Sequence, residues 1–218
     1  MWQNERAFVD HMNFLKSIGA TVINTSDQSF SIQHQWNTPL SNKKVLNDDE
    51  WEVLTKGLDH LGKIAYDSGM KIVYHHHMTT TRAEDPTKST VCYAMTDPKY
   101  VSMIYDTGHL TFSGEDPIEI LKKHYDRIGH VHLKKCPQAC NGQVLRREQE
   151  LPPFDSGRRI HRSRRPGRLR RLPDRIQAAR RVQLRGWLVV EAEQDPAIAN
   201  PLEYARMARA YVKEHTGL

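Results

Sequence analysis

The stretch Val101-Ser102-Met103-Ile104-Tyr105-Asp106-Thr107-Gly108-His109 decides the fold. After a short linker it continues as Glu115-Asp116-Pro117-Ile118-Glu119-Ile120-Leu121-Lys122-Lys123-His124-Tyr125-Asp126-Arg127-Ile128-Gly129 and then His130-Val131-His132-Leu133-Lys134. It reads as one strand–helix–strand unit. Val101 to Ile104 form a short apolar run of the kind buried parallel strands show, and the polar groups from Tyr105 to His109 mark where a loop should begin. Asp116 and Pro117 open a helix as cap and first residue, Ile118, Leu121, Tyr125 and Ile128 are predicted to line its buried side, and Gly129 to close it. His130 and His132 alternate onto one face of the next strand. Functional side chains in parallel sheets gather at the carboxyl ends of strands, so Asp106 and His132 are expected to converge. A carboxylate and an imidazole brought together this way suggest a divalent metal site.

Working outward, residues 4–18 carry Phe8, Met12 and Leu15 at helical spacing, with Gly19 after the last turn and a strand from Thr21 to Asn24. Residues 26–46, including Asp27, are polar and are expected to form a long loop at the strand's carboxyl end, where loops shape substrate pockets. Asn47 to Glu50 supply capping groups for a helix with the stripe Trp51, Leu54, Leu58, Leu61 and Ala65. The strand Lys71-Ile72-Val73-Tyr74 then runs into His75-His76-His77. By alternation His75 and His77 share a face and His76 points away. Near the other end, Gly186 to Glu193 reads as a strand ending in carboxylates, with Glu193 on the same face as Glu191, so that either could be a ligand and the other catalytic. Asn200 and Pro201 start a helix whose inner side is assigned to Leu202, Met207, Ala210 and Tyr211.

Composition narrows the partners. The net charge of +6 is local: residues 141–185 hold fourteen Arg against four acids, which leaves −4 for the rest. That stretch has no Lys and only Phe154 as an aromatic, which argues against a nucleic-acid surface. No segment has the apolar length of a membrane span, and Met1 to Arg6 lead straight into a helical pattern, so a cytoplasmic location is expected. Cys92, Cys136 and Cys140 lack zinc-type pairing and read as free thiols.

Together, Lys71 to Met78, Tyr105 to Pro117, His130 to Lys134 and Gly186 to Pro196 resemble the inosose dehydratase family, lyases of the xylose-isomerase-like TIM barrels. The resemblance covers roughly residues 1–81, 95–134 and 186–218 and starts partway into the family's third repeat. It implies an α/β fold, a partial (β/α)8 barrel lacking its first strands, in a single incomplete domain over 1–218. By the resemblance the metal ligands fall on His75, Asp106, His132 and Glu191. Two imidazoles and two carboxylates suit Mn²⁺ or Co²⁺ better than Mg²⁺. The implied reaction is loss of water from 2-keto-myo-inositol, a small cyclic polyol ketone, to give a dione. His77, His109, Lys134 and Glu193 are the candidate proton carriers, and the residues alone do not single out the base. His130 is assigned either an inward supporting role or a capping one.

Residues 82–94 and 135–185 depart from the family pattern and are expected to be irregular or disordered, as coding sequence read out of frame would be. Activity is expected to suffer from these stretches and from the absent strands. The alternatives carried forward are a sugar isomerase or epimerase on the same barrel, and a non-catalytic fragment whose arginine patch binds polyanions. A homo-oligomer is compatible with either.

Overall fold

The structure, a computed structural model, describes residues 4–28, 44, 46–77, 89–112, 115–134, 187–191, 196–197 and 200–217. The arginine-rich stretch, residues 82–88, Glu193, Cys136, Cys140 and most of the expected loop 26–46 lie outside the described residues. The chain packs as two compact units. The first takes in the described residues up to 28, those from 44 to 105, and 126–130. The second takes in the described residues of 106–125 and those from 131 onward.

In the first unit, α1 (Glu5–Ser17) leads to β1 (Val22–Thr25), one residue later than predicted, and α2 (Asp48–Asp67) leads to β2 (Lys71–Tyr74). α3 (Ser89–Met95) precedes β3 (Val101–Asp106), whose last residue belongs to the second unit. β1 and β2 pair in parallel, Val22 beside Lys71 through Thr25 beside Tyr74, and β2 pairs in parallel with β3, Ile72 beside Val101. The capping box forms as the sequence suggested: the Asn47 side chain accepts from the Glu50 N–H, and the Glu50 carboxylate accepts from the Asn47 N–H, each at 2.9 Å. The predicted stripe of α2 turns inward, with Trp51, Leu58 and Ala65 buried beside Phe8, Met12, Ile23, Ile72 and Tyr74. Each fully buried apolar side chain contributes on the order of 1.5–3 kcal/mol.

Residues 89–94 depart from expectation. They belong to α3, and Cys92 and Tyr93 are buried in the same core. Arg127 explains part of this order. Its guanidinium donates to the carbonyls of Tyr93 and Thr96 and to Thr96 Oγ1, at and just beyond the helix end, and to the carbonyl of Val101 at the start of β3.

The helix expected from Asp116 is α5 (Pro117–His124), with Asp116 Oδ1 accepting from the Ile118 N–H at 2.8 Å. Its phase differs from the prediction. Pro117, Ile120 and Leu121 are the buried residues, and Tyr125 is half exposed in a 3-10 turn, Tyr125–Arg127. Gly129 does not close the helix; it lies inside β4 (Ile128–Leu133). A Cβ there would stand 2.8 Å from Ser102 Cβ and 2.9 Å from Val73 Cγ1, so the strand passes too close to its neighbours for any side chain.

In the second unit, β5 (Leu188–Val190) pairs in parallel with the end of β4, Val131 beside Leu188 and Leu133 beside Val190. It is shorter than the strand expected from Gly186 to Glu193. α6 (Pro201–Thr216) starts where Asn200 and Pro201 predicted, the Asn200 side chain accepting from the Leu202 and Glu203 N–H groups. Its inner face is not the one assigned. Val212 and Thr216 are buried, whereas Leu202 and Met207 are exposed, because Leu202 falls in the first turn and the two buried positions repeat at i and i+4. None of the described helices is long and apolar enough to cross a membrane.

Candidate functional site

The loop expected after Ile104 is not a loop. β3 continues through Tyr105 and Asp106, and Thr107 begins a short helix, α4 (Thr107–Phe112), with no intervening residue. The transition is possible because Asp106 works as a cap. Its Oδ1 accepts from the N–H groups of Gly108 and His109, each at 2.7 Å, and so satisfies two of the donors that a helix start leaves unpaired. The carboxylate is fully buried. Pinning one oxygen this way fixes the direction of the other, and Oδ2 stands 3.6 Å from His132 Nδ1.

The second unit gathers four predicted site residues around that carboxylate. His132, buried near the end of β4, has Nδ1 3.2 Å from Glu191 Oε2. Glu191 follows β5 directly and its N–H donates to the Leu133 carbonyl at 3.3 Å, which extends the β4–β5 ladder by one rung. Lys134 Nζ lies 3.2 Å from Glu191 Oε2 and 3.3 Å from His109 Nε2. With Lys134 charged, the ammonium donates to both. Ligand atoms of Asp106, His109 and Glu191 all lie within 4.8 Å of one another. His109, assigned from sequence to proton transfer, therefore sits with the carboxylates as closely as a ligand would.

Charge is balanced tightly here. Burial pushes His132 down, but the facing carboxylates of Asp106 and Glu191 outweigh it and lift the imidazole to about 9. The hydrogen bond from His132 draws Glu191 down to about 2 against its own burial, with Lys134 adding to the pull. Without a metal, then, two carboxylates face an imidazolium and an ammonium. A divalent cation can take over the role of those protons. The donor set fits one: a buried carboxylate with one oxygen already anchored, a second carboxylate, and imidazoles whose nitrogens become available on deprotonation.

The first unit carries the other predicted residues. The His75 N–H donates to the Thr25 carbonyl at 2.7 Å, which holds the residue at the carboxyl end of β2, and its side chain is buried. The rings of His75 and His77 are 4.3 Å apart, whereas His76 stands at 6.4 Å from His75 and nearly perpendicular. Alternation thus separated the pair from His76 correctly. His77 Nδ1 meets the Gln28 amide nitrogen at 2.8 Å, and the same nitrogen reaches Ser26 Oγ at 3.2 Å. Gln28 was missed because one polar residue in a polar loop carries no periodic signal. Asp27 is half-buried beside it, and His130, in the first unit, is half-buried within β4.

Parallel strands alternating with helices, with imidazoles and carboxylates at strand carboxyl ends, define an enzyme of the β/α-barrel class. A family model described as xylose isomerase-like TIM barrel matches residues 3–215. Inosose dehydratase of Bacillus anthracis is 46% identical over 214 residues, 97% of this chain and 70% of that protein. Inosose dehydratase of Clostridium perfringens (strain 13 / Type A) is 42% identical over 225 residues, 99% of this chain and 72% of that protein. Among solved structures, a xylose isomerase-like TIM barrel protein from Mycobacterium smegmatis in complex with magnesium superposes with a TM-score of 0.64. It is 16% identical and covers 99% of this chain and 68% of that one, a likeness of fold alone. The chain belongs to the inosose dehydratase family of xylose isomerase-like TIM barrels, hydro-lyases that dehydrate inosose in inositol catabolism.

Proposed function

We propose that dehydration of 2-keto-myo-inositol by this chain depends on a divalent cation, Mn²⁺ or Co²⁺, held by His75, Asp106, His132 and Glu191. The observation that carries this reading is the buried Asp106 carboxylate, anchored through one oxygen and with the other 3.6 Å from His132 Nδ1, the same nitrogen that meets Glu191 Oε2 at 3.2 Å. A mixed nitrogen and oxygen donor set favours these borderline ions over Mg²⁺. When bound, such a cation supplies a Lewis acid that polarises the substrate ketone and so acidifies the neighbouring C–H.

The chain's own residues then divide the proton work. Lys134 Nζ, between Glu191 and His109, holds a proton that can be given to a departing hydroxyl. His109, whose Nε2 accepts from Lys134, is the nearest base to that ammonium, and His77 is the corresponding candidate in the first unit. Glu193 keeps its place as a further candidate, outside the described residues.

The test is direct. The full chain is stripped with a chelator, its metal content is verified, and release of water from inosose is followed by mass spectrometry with Mn²⁺, Co²⁺, Mg²⁺ or Zn²⁺ restored. Turnover that vanishes on stripping and returns best with Mn²⁺ or Co²⁺ supports the reading. Unchanged turnover in verified metal-free protein refutes it.

A further inference from the structure

We propose that Thr107 and Gly108 are positioning residues for the dehydration, acting through Lys134. The inference rests on the reading of Lys134 given above and extends it to residues that touch neither substrate nor cation.

β3 ends at Asp106 and Thr107 is already helical, so the backbone of β3 has no further rung to offer Lys134, the residue that follows β4. The Thr107 hydroxyl supplies that rung from a side chain. Oγ1 donates to the Lys134 carbonyl at 2.8 Å and accepts from the Lys134 N–H at 3.0 Å. One hydroxyl thus satisfies both backbone groups of one residue, and Thr107 is fully buried, so water does not compete for either bond. The effect is to fix where the lysine side chain starts.

Gly108 fixes where it goes. A Cβ at position 108 would lie 2.7 Å from Cβ, Cγ and Cδ of Lys134 alike. Three contacts at that distance along one stem mean that the stem lies flat across the start of α4, in the space a side chain would fill. From there Nζ arrives at Glu191 and His109. A lysine has about 2 kcal/mol of rotamer entropy to lose when it is held in one place. Here the origin is fixed by two hydrogen bonds and the route by an absent methyl, so that cost is met before substrate binds.

The test uses the full chain loaded with metal and five variants: Thr107→Val, Thr107→Ser, Gly108→Ala, Lys134→Ala, and the Thr107→Val, Lys134→Ala double. Val keeps the shape and loses both bonds; Ser keeps the hydroxyl. Circular dichroism, thermal melting and Mn²⁺ affinity are measured beside kcat and KM. Thr107→Val is expected to lose on the order of 100-fold in kcat, with KM and Mn²⁺ affinity changed less than about threefold, and Thr107→Ser to restore kcat to within about fivefold of the parent. The double variant is expected to be no worse than Lys134→Ala alone, because the hydroxyl has nothing left to position. Gly108→Ala is expected to follow Thr107→Val. Losses that multiply in the double variant, or a Thr107→Ser enzyme as poor as Thr107→Val, overturn the proposal while leaving the metal site standing. A Lys134→Ala enzyme as active as the parent overturns the reading of Lys134 itself, and with it this inference.

Discussion

If His132 is a ligand, loading the site must expel a proton, and the structure says how many. A metal ligand imidazole is neutral, so whichever ring nitrogen coordinates, one of the two protons of the imidazolium has to leave. The carboxylates of Asp106 and Glu191 lift His132 to about 9 in the metal-free protein, over the opposing effect of burial. At pH 8 such a group is about nine-tenths protonated, whereas a histidine at its ordinary 6.5 is about three-hundredths protonated. Binding of Mn²⁺ at pH 8 is therefore expected to release close to one proton per ion from this residue. Titration calorimetry in two buffers of different ionisation enthalpy reads the number directly. A His132→Gln variant that still binds should release about one proton fewer. Release of less than about 0.3 proton per ion by the parent protein at pH 8 would refute either the lifted imidazole or its place in the coordination shell.

Three further outcomes follow from the same geometry. Asp106→Asn retains an oxygen to accept from Gly108 and His109, so it should melt within a few degrees of the parent while metal affinity falls at least about 100-fold; Asp106→Ala should lose about 1 kcal/mol more in denaturant unfolding, the cost of a missing cap. Gly129→Ala forces a methyl against Ser102 and Val73 and should cost about 1–3 kcal/mol in the same measurement, with no specific effect on metal affinity. The stability of chelated protein should depend on pH through two opposed groups. Glu191, lowered from 4.5 to about 2, contributes stability that is present above 4.5 and lost as pH falls through 2; His132, raised from 6.5 to about 9, contributes stability that is present below 6.5 and lost as pH rises through 9. Their joint contribution peaks between 4.5 and 6.5, and melting temperatures of the parent that show no decline between pH 6.5 and 9, relative to His132→Gln, would contradict the pairing.

Helices announced by a cap and a sustained stripe were legible in the sequence. α1, α2 and the starts of α5 and α6 stand where Asn47, Asp116 and Asn200 and the 3.6-residue spacing put them. Strand ends were legible as chemistry, since a short apolar run followed by His or Asp is unusual in a buried position unless the polar group has work to do. What was not legible depended on tertiary distance. Gly129 carries the composition of a helix stop, and only the nearness of Ser102 and Val73 shows it to be a strand residue. The phases of α5 and α6 were misjudged because several residues in each suit either face, and packing partners choose between them. The immediate turn from β3 into α4 could not be seen from propensity, because it depends on a side chain bonding to backbone two and three residues ahead. Thr107 and Gln28 escaped notice for a related reason: a lone hydroxyl or amide acquires meaning only from what it meets.

Asp106 holds the first turn of α4 with one oxygen and offers the other to the charged cluster. One residue thus answers to two masters, assembly of the polypeptide and reactivity of the finished enzyme. A library randomised at this position and sorted for folded protein should return Asn, Ser and Thr beside Asp; sorted for turnover, it should return aspartate alone. The gap between those two lists would measure how much of the demand on this carboxyl group comes from building the molecule and how much from running it.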